Sequence, residues 1–296
     1  MSNPLNDLIL RINSYPSRKL REILFILGSD DISSPKIPLQ LRYPSFGFEK
    51  QGLYELSCDQ NKIELMTKEL DTLSPKTALG RYAERLMAVW FKHNRHYELL
   101  KFNHQIIIDK RTVGEIDFLI QENESGKAIQ LEFAMKYYLA FHSPDGELTF
   151  IGPKGRDNLA LKAEKLIEKQ MQLSSVHRAQ LEEELRKLDF RPQVMLKGEL
   201  FYPLGKECEG NLWLHARRRD KLRSWPALNR YVILKQRRDW IFPFDITLWE
   251  DAIDHEAFLE ALASAALQIP LMVAFKNAKG EYGRLVIVDD AWPNLN

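Results

Sequence analysis

The chain has 296 residues, 45% of them hydrophobic and 28% charged, the profile of an ordinary globular protein, which excludes wholesale disorder and a fibrous repeat. Forty-two Lys and Arg stand against 41 Asp and Glu, so affinity for a polyanion would have to come from local clustering. Cys58 and Cys208 are too few for a disulfide framework or a cysteine zinc cluster, which suits a reducing compartment.

The first residues lack the basic and apolar regions of a signal peptide. The longest apolar run, 261–275, is interrupted by Gln268 and Pro270. A cytoplasmic protein without a membrane anchor is expected.

Two apolar-periodic segments within 5–27 read as short helices, followed by a connector rich in proline at 34–38 and Pro44. Residues 78–90 place Leu79, Tyr82, Ala83, Leu86, Val89 and Trp90 at helical spacing, and this helix bears Glu84. Strand-like runs follow at 97–102, 105–108, 113–120 and 128–139, the last two joined by a polar loop with Gly126. A turn at 143–147, a strand at 148–151, an amphipathic helix at 157–173, a charged helix at 176–188 and a strand at 193–202 come next. The segment 152–155 reads as a turn before a helix, 247–265 as an amphipathic helix and 285–288 as a strand. The order is α/β in class. It divides into a helical N-terminal extension (1–75), a core (76–205) and a basic C-terminal extension (206–296).

The chemistry concentrates in 114–120 and 129–136. Side chains alternate along a strand, so Glu115 and Asp117 share one face while Ile116, Phe118 and Ile120 share the other. On the next strand Gln130, Glu132 and Lys136 point one way and Leu131, Phe133 and Met135 the other. Centring the hairpin on residues 124 and 125 sets Asp117 opposite Glu132. Two facing carboxylates repel unless a cation sits between them, and Mg²⁺ or Mn²⁺ prefers such oxygen ligands. Lys136, on the same face, could reach a phosphate or a metal-bound water. The same alternation also describes a solvated sheet face with Lys136 as an ion-pair partner. His104 and Gln130 could support the acids from behind, with core or surface roles expected instead. Lys162, Lys165 and Gln170 read either as lining the cleft from their helix or as solvated helix positions, the latter being expected.

A helix acid, an Asp on one strand, then Glu and Lys on the next resembles the PD-(D/E)XK nuclease superfamily. Over a longer span, including residues 80–86, 114–119, 131–139 and 196–202, the chain resembles the bacterial domain-of-unknown-function 1853 family. The resemblance implies a restriction-endonuclease-like core, a mixed sheet flanked by helices. It implies a magnesium-dependent hydrolase with Asp117 and Glu132 as metal ligands, Lys136 as the motif lysine and Glu84 as the helix acid. The superfamily pattern would put the lysine at Ala134; a shift of two residues keeps the face and moves the amine roughly 6 to 7 Å along the strand.

Between His215 and Arg238 nine basic residues meet one acid, Asp220, a window of net +8 in a chain of net +1. Arg217, Arg218, Arg219, Arg237 and Arg238 are its candidate phosphate contacts, and Trp213, Trp225, Tyr231 and Trp240 could stack on bases. Alternatively, the aromatics belong to the core and the arginines pair with Glu182, Glu183 and Glu184. The expectation is hydrolysis of DNA or RNA. The alternative is a catalytically inactive nuclease fold that binds nucleic acid or a protein partner.

Overall fold

The computed structural model describes residues 4–32, 37, 41–42, 59–74, 76–205, 210–224, 228–264 and 269–294. Most of the proline-rich connector, both cysteines, Trp225 and the side chain of Arg219 lie outside the described residues.

The described residues form a mixed α/β structure with nine strands and nine α-helices. The elements run α1 (Pro4–Asn13), α2 (Arg18–Gly28), α3 (Gln60–Asp71), α4 (Leu79–His93), β1 (Tyr97–Ile108), β2 (Arg111–Glu122), β3 (Ala128–His142) and β4 (Leu148–Ile151). They continue with α5 (Leu159–Glu168), α6 (Leu173–Val176), α7 (Glu183–Arg186), β5 (Phe190–Pro203), β6 (Asn211–His215), β7 (Leu228–Leu234), α8 (Ile246–Trp249), α9 (His255–Ser264), β8 (Leu271–Asn277) and β9 (Tyr282–Val288). No helix among the described residues is long and apolar enough to cross a membrane.

The chain divides into two compact units, each assembled from separate stretches. The first, here the acid-bearing unit, comprises Glu22–Lys136 and Ala160–Gly198. Its strands follow the order β1-β2-β3-β5. The helical spacing read in the sequence becomes the buried face of α4, with Tyr82, Ala83, Leu86, Met87, Val89, Trp90 and Phe91. Each large apolar side chain buried this way contributes roughly 1.5–3 kcal/mol. Phe91 meets Phe118 at 5.3 Å between ring centroids, and Phe118 meets Phe102 and Phe133 at 5.3 and 6.4 Å. A second cluster joins Ile106, Ile116 and Leu119 to Leu173, Leu181 and Leu185. Gly114 admits this packing, because a Cβ there would meet Leu173 Cδ2 at 2.6 Å.

Strict alternation along β2 therefore fails. Ile116 packs with Leu119, which is three residues away, while Phe118 belongs to the aromatic group below α4. The β1–β2 ladder keeps one register from His104↔Ile116 to Phe102↔Phe118, with Asn103 between them at φ +50°, and shifts register at Leu99/Lys101 and at Ile106/Ile107. The stretch 97–108, read as two strands in the sequence, forms one.

Three expected helices are also shorter. The 157–173 helix stops at Glu168, and Gln170–Gln172 and Leu173–Val176 continue as separate short turns. The 176–188 segment holds only a 3-10 turn at Arg178–Gln180 and the single turn of α7, because Leu181 and Leu185 turn inward to the second cluster. The 247–265 helix is split into α8 and α9.

The second, basic unit comprises Met1–Arg21, Tyr137–Leu159 and Glu199–Asn296. Its strand order is β3-β5-β6-β9-β8-β7, with β4 on β3. The β5–β6 and β6–β9 pairs are parallel, and the β3–β4, β7–β8 and β8–β9 pairs antiparallel. Leu212, Leu214, Val273, Phe275, Leu285 and Ile287 from these strands pack with Phe258 and Leu262 of α9. Arg21, 4% exposed, is fixed by two hydrogen bonds to the buried Asp245 at 2.8 and 2.9 Å. Such a pair loses several kcal/mol if one partner alone is removed.

Candidate active site

All the acids singled out in the sequence, and Lys136, lie in the acid-bearing unit. The β2–β3 register is that of the centred hairpin: Gln121↔Ala128, Ile120↔Ile129, Leu119↔Gln130 and Phe118↔Leu131. Pairing ends there, one step before Asp117 and Glu132. Beyond that point side chains take the place of ladder partners. The Phe133 backbone N–H donates to Asp117 Oδ2 at 2.9 Å, and the Asp117 backbone hydrogen-bonds the Glu132 carboxylate.

The face that bears Glu132 is not a solvated one. Glu132 and Gln130 are both 0% exposed. The segment after α5 covers them. Gln130 Nε2 donates to the Gln170 carbonyl at 2.6 Å and to Glu132 Oε1 at 3.2 Å, and Gln130 Oε1 accepts the Ser174 N–H at 3.0 Å. Gln170 Nε2 donates to Glu132 Oε2 at 3.1 Å, while Lys162 Nζ donates to Gln170 Oε1 at 3.1 Å. The break after Glu168 is thus where the chain turns its polar groups toward the buried Gln130–Glu132 pair, a requirement that a buried amide and carboxylate impose.

Asp117 is pushed up to about 7, chiefly by burial and with help from the nearby Glu84 and Glu115 charges, against the Phe133 hydrogen bond and Lys162. Burial pushes Glu132 up to about 8, reinforced by Asp117 and opposed by Gln130 and Lys162. Glu84, half-buried on α4, is raised by burial and then by Glu115. Among the described residues neither Asp117 nor Glu132 has an ion-pair partner within 4 Å. Four acids therefore share one electrostatic neighbourhood, and its two most buried members take up protons near neutral pH when no cation is supplied.

The lysine whose charge reaches this group is Lys162 on α5. It acts on Glu84, Asp117 and Glu132 alike, and its own pKa is lowered by burial and by Lys136. The reading of Lys162 and Gln170 as solvated helix positions is corrected by these contacts. The helix ends at Glu168, and the break after it turns Gln170 toward Glu132. Lys136 is half-buried beside Lys162, on the stretch of β3 that Gly198 of β5 approaches. Gly198 has φ +124°, and a Cβ there would collide with the Lys136 carbonyl oxygen, so this close approach requires glycine.

Other polar groups have structural roles. His93 Nε2 and Lys92 Nζ reach Glu69 of α3 at 2.7 and 2.9 Å, and Lys197 is buried against Asp31 at 3.0 Å. The amides of Gly152 and Gly155 are used within their own turn. His104 lies near Lys101 and Glu182, and its pKa is lowered by burial. Among the described residues, no group of three or more His, Cys, Asp or Glu is arranged to hold a metal ion unaided. A metal at Asp117 and Glu132 would need further oxygens from water, backbone or substrate.

In the basic unit, Arg217 and Arg218 are exposed on the 3-10 segment Ala216–Ser224, whereas Arg237 lies 4.1 Å over Trp240 and Arg238 lies 3.8 Å from Asp239. Of the acids at 182–184, Glu182 binds Lys101 at 2.6 Å and Glu183 binds Lys187 at 3.6 Å. The base-stacking reading fails for Trp213, Tyr231 and Trp240, which are 6%, 0% and 3% exposed. Tyr231 stacks on Phe258 at 4.1 Å, and Trp213 donates to the Ala140 carbonyl at 3.0 Å. Their apolar area is committed to the core.

The profile of one family, described as Domain of unknown function (DUF1853), matches residues 49–286. No curated protein and no solved structure matches the chain.

Proposed function

The chain belongs to the DUF1853 family, and from the acid pair within the matched span we propose that it is a metal-dependent nuclease with a PD-(D/E)XK, restriction-endonuclease-like core. The observation that carries this reading is the pair itself. Glu132 is fully buried, Asp117 stands beside it where the β2–β3 ladder opens, and neither has an ion-pair partner among the described residues. Burying two carboxylates is costly unless a cation compensates, and their oxygens suit Mg²⁺ or Mn²⁺.

Asp117 and Glu132 would hold the ion, which when bound supplies an activated water and stabilises charge on the phosphoryl oxygens. The chain's own groups do the rest. Gln130 and Gln170 fix the Glu132 carboxylate in one orientation. Lys162, held through Gln170, places a positive charge beside the acids where the phosphate of a DNA or RNA strand would enter. Lys136 adds a second charge, and Glu84 accepts a proton or a water at the edge of the group.

The test is a calorimetric titration of Mn²⁺ into the full chain, followed by incubation with single- and double-stranded DNA and RNA. One ion per chain, lost in Asp117→Asn, and cleavage abolished by EDTA are the expected results. The second reading, a catalytically inactive nuclease fold that binds nucleic acid or a protein partner, draws on the lack of a third metal-ligating side chain among the described residues. Nucleic-acid binding without cleavage in any divalent metal would select it.

A further inference from the structure

We propose that the basic unit contains a binding pocket for a phosphate monoester, the terminal phosphate of a nucleotide or of a nucleic-acid strand. A cavity of about 270 Å³ is lined by Arg217, Arg218 and Lys221 from the 3-10 segment, with His142 at the end of β3 and His215 at the end of β6. No Asp or Glu lines it. Asp290 Oδ1 accepts the backbone N–H of Arg217 at 2.7 Å, and the Asp289 carbonyl faces His215 Nδ1 at 3.1 Å. These contacts fix the start of the 3-10 segment and leave the Arg217 guanidinium to the cavity.

The Arg217 and Arg218 guanidinium groups on one concavity repel one another, and a dianion relieves that repulsion more fully than the single charge of a backbone diester. Guanidinium groups also match phosphate oxygens with paired N–H donors. Size narrows the ligand further. The cavity is slightly smaller than the roughly 300 Å³ at which pockets for drug-sized ligands begin. It has room for a phosphate with the sugar it esterifies, and a duplex cannot enter it. The wall beneath is rigid: Trp213 packs against Trp292 at 4.6 Å and His215 at 5.2 Å, so the basic groups are displayed on an ordered floor. Arg237 and Arg238 are engaged with Trp240 and Asp239 and take no part in this pocket.

The experiment measures binding to the full chain in EDTA, where the proposed nuclease is silent, so that failure of that reading does not affect the result. Inorganic phosphate, a nucleoside 5′-monophosphate, and one oligonucleotide bearing either a 5′-phosphate or a 5′-hydroxyl are titrated by calorimetry. The phosphorylated strand is expected to bind at least about tenfold more tightly than the hydroxyl strand, and Arg217→Ala with Arg218→Ala to remove that difference. Both arginines are exposed, so the variant is expected to keep the wild-type melting curve, and Lys221→Ala provides a second variant with the same expected loss. A mononucleotide that binds as tightly as the phosphorylated strand identifies free nucleotides as the source, and a much weaker one identifies the strand end. Equal affinity for phosphorylated and hydroxyl strands, together with no binding of phosphate or mononucleotide, overturns the proposal. So does a phosphate preference that survives in both variants.

Discussion

Glu132 has no solvent exposure and takes its hydrogen bonds from Gln130, Gln170 and the Asp117 backbone, whereas Arg217 and Arg218 stand exposed at the rim of a cavity. The acids and the bases are concentrated to a similar degree, but at different cost. In the acid-bearing unit, desolvation raises the acids enough for them to hold protons near neutrality, so their charge depends on what is bound beside them. In the basic unit, Arg217 and Arg218 stand in solvent, and their mutual repulsion is the smaller, screened one of surface groups. A buried site of this kind is conditional on its ligand; an exposed one keeps its water.

The largest expected break between the two regions comes from Glu132→Gln. It should lower cleavage by about 10²–10³-fold while leaving phosphate binding in EDTA unchanged, read by parallel cleavage and titration assays. Loss of both would mean that the variant damages the fold rather than the site.

Next comes the choice of lysine. Lys162→Met should reduce kcat by about tenfold to a hundredfold, and Lys136→Met by less, because only Lys162 ranks among the main charges acting on both Asp117 and Glu132. A larger loss with Lys136→Met would return the motif lysine to the position read from the sequence.

The pH dependence of stability sharpens the contrast further. The folded-state pKa values of Asp117 and Glu132 lie above their unfolded values of about 4, so the folded chain binds more protons and their contribution is complete only below that pH. In EDTA, stability should therefore fall as pH rises from about 4 through the folded values of about 7 and about 8. Thermal melts should show that decline flattened in the double variant Asp117→Asn, Glu132→Gln and reversed by Mg²⁺ at pH 8. A decline of the same size in the double variant would assign it to other groups.

The smallest effect belongs to Arg237. Removing its contact with Trp240 in Arg237→Ala should cost about 0.5–1 kcal/mol, a shift of a few degrees in Tm, with phosphate binding unaffected. An Arg237→Ala variant that loses the preference for a 5′-phosphate would extend the pocket beyond the 3-10 segment.

Much of this was legible in the chain before any coordinates. Helical spacing located α4, and the polar loop with Gly126 fixed the hairpin register, because β-strand pairing leaves one free parameter once the turn is known. Charge counting found the basic window for the same reason: it is a property of local sequence. Other features depended on neighbours far along the chain. The register shifts of the β1–β2 ladder and the packing of Leu173 on Gly114 do not follow from the β2 sequence alone. Lys162 and Gln170 join the acids only because their helix ends at Glu168 and the following residues turn onto Gln130 and Glu132.

The aromatic residues of the basic window show the same limit. Trp213, Tyr231 and Trp240 read equally as stacking platforms or as core in one dimension, and burial decided for the core. The sequence by itself determined which residues repeat with the period of a helix or strand, and where charge accumulates, since both are set by covalent order. Tertiary structure alone decided which polar groups lose their water, because desolvation depends on every segment that packs above them. That loss turns Glu132 from an acid of a solvated strand face into a buried one within the candidate site.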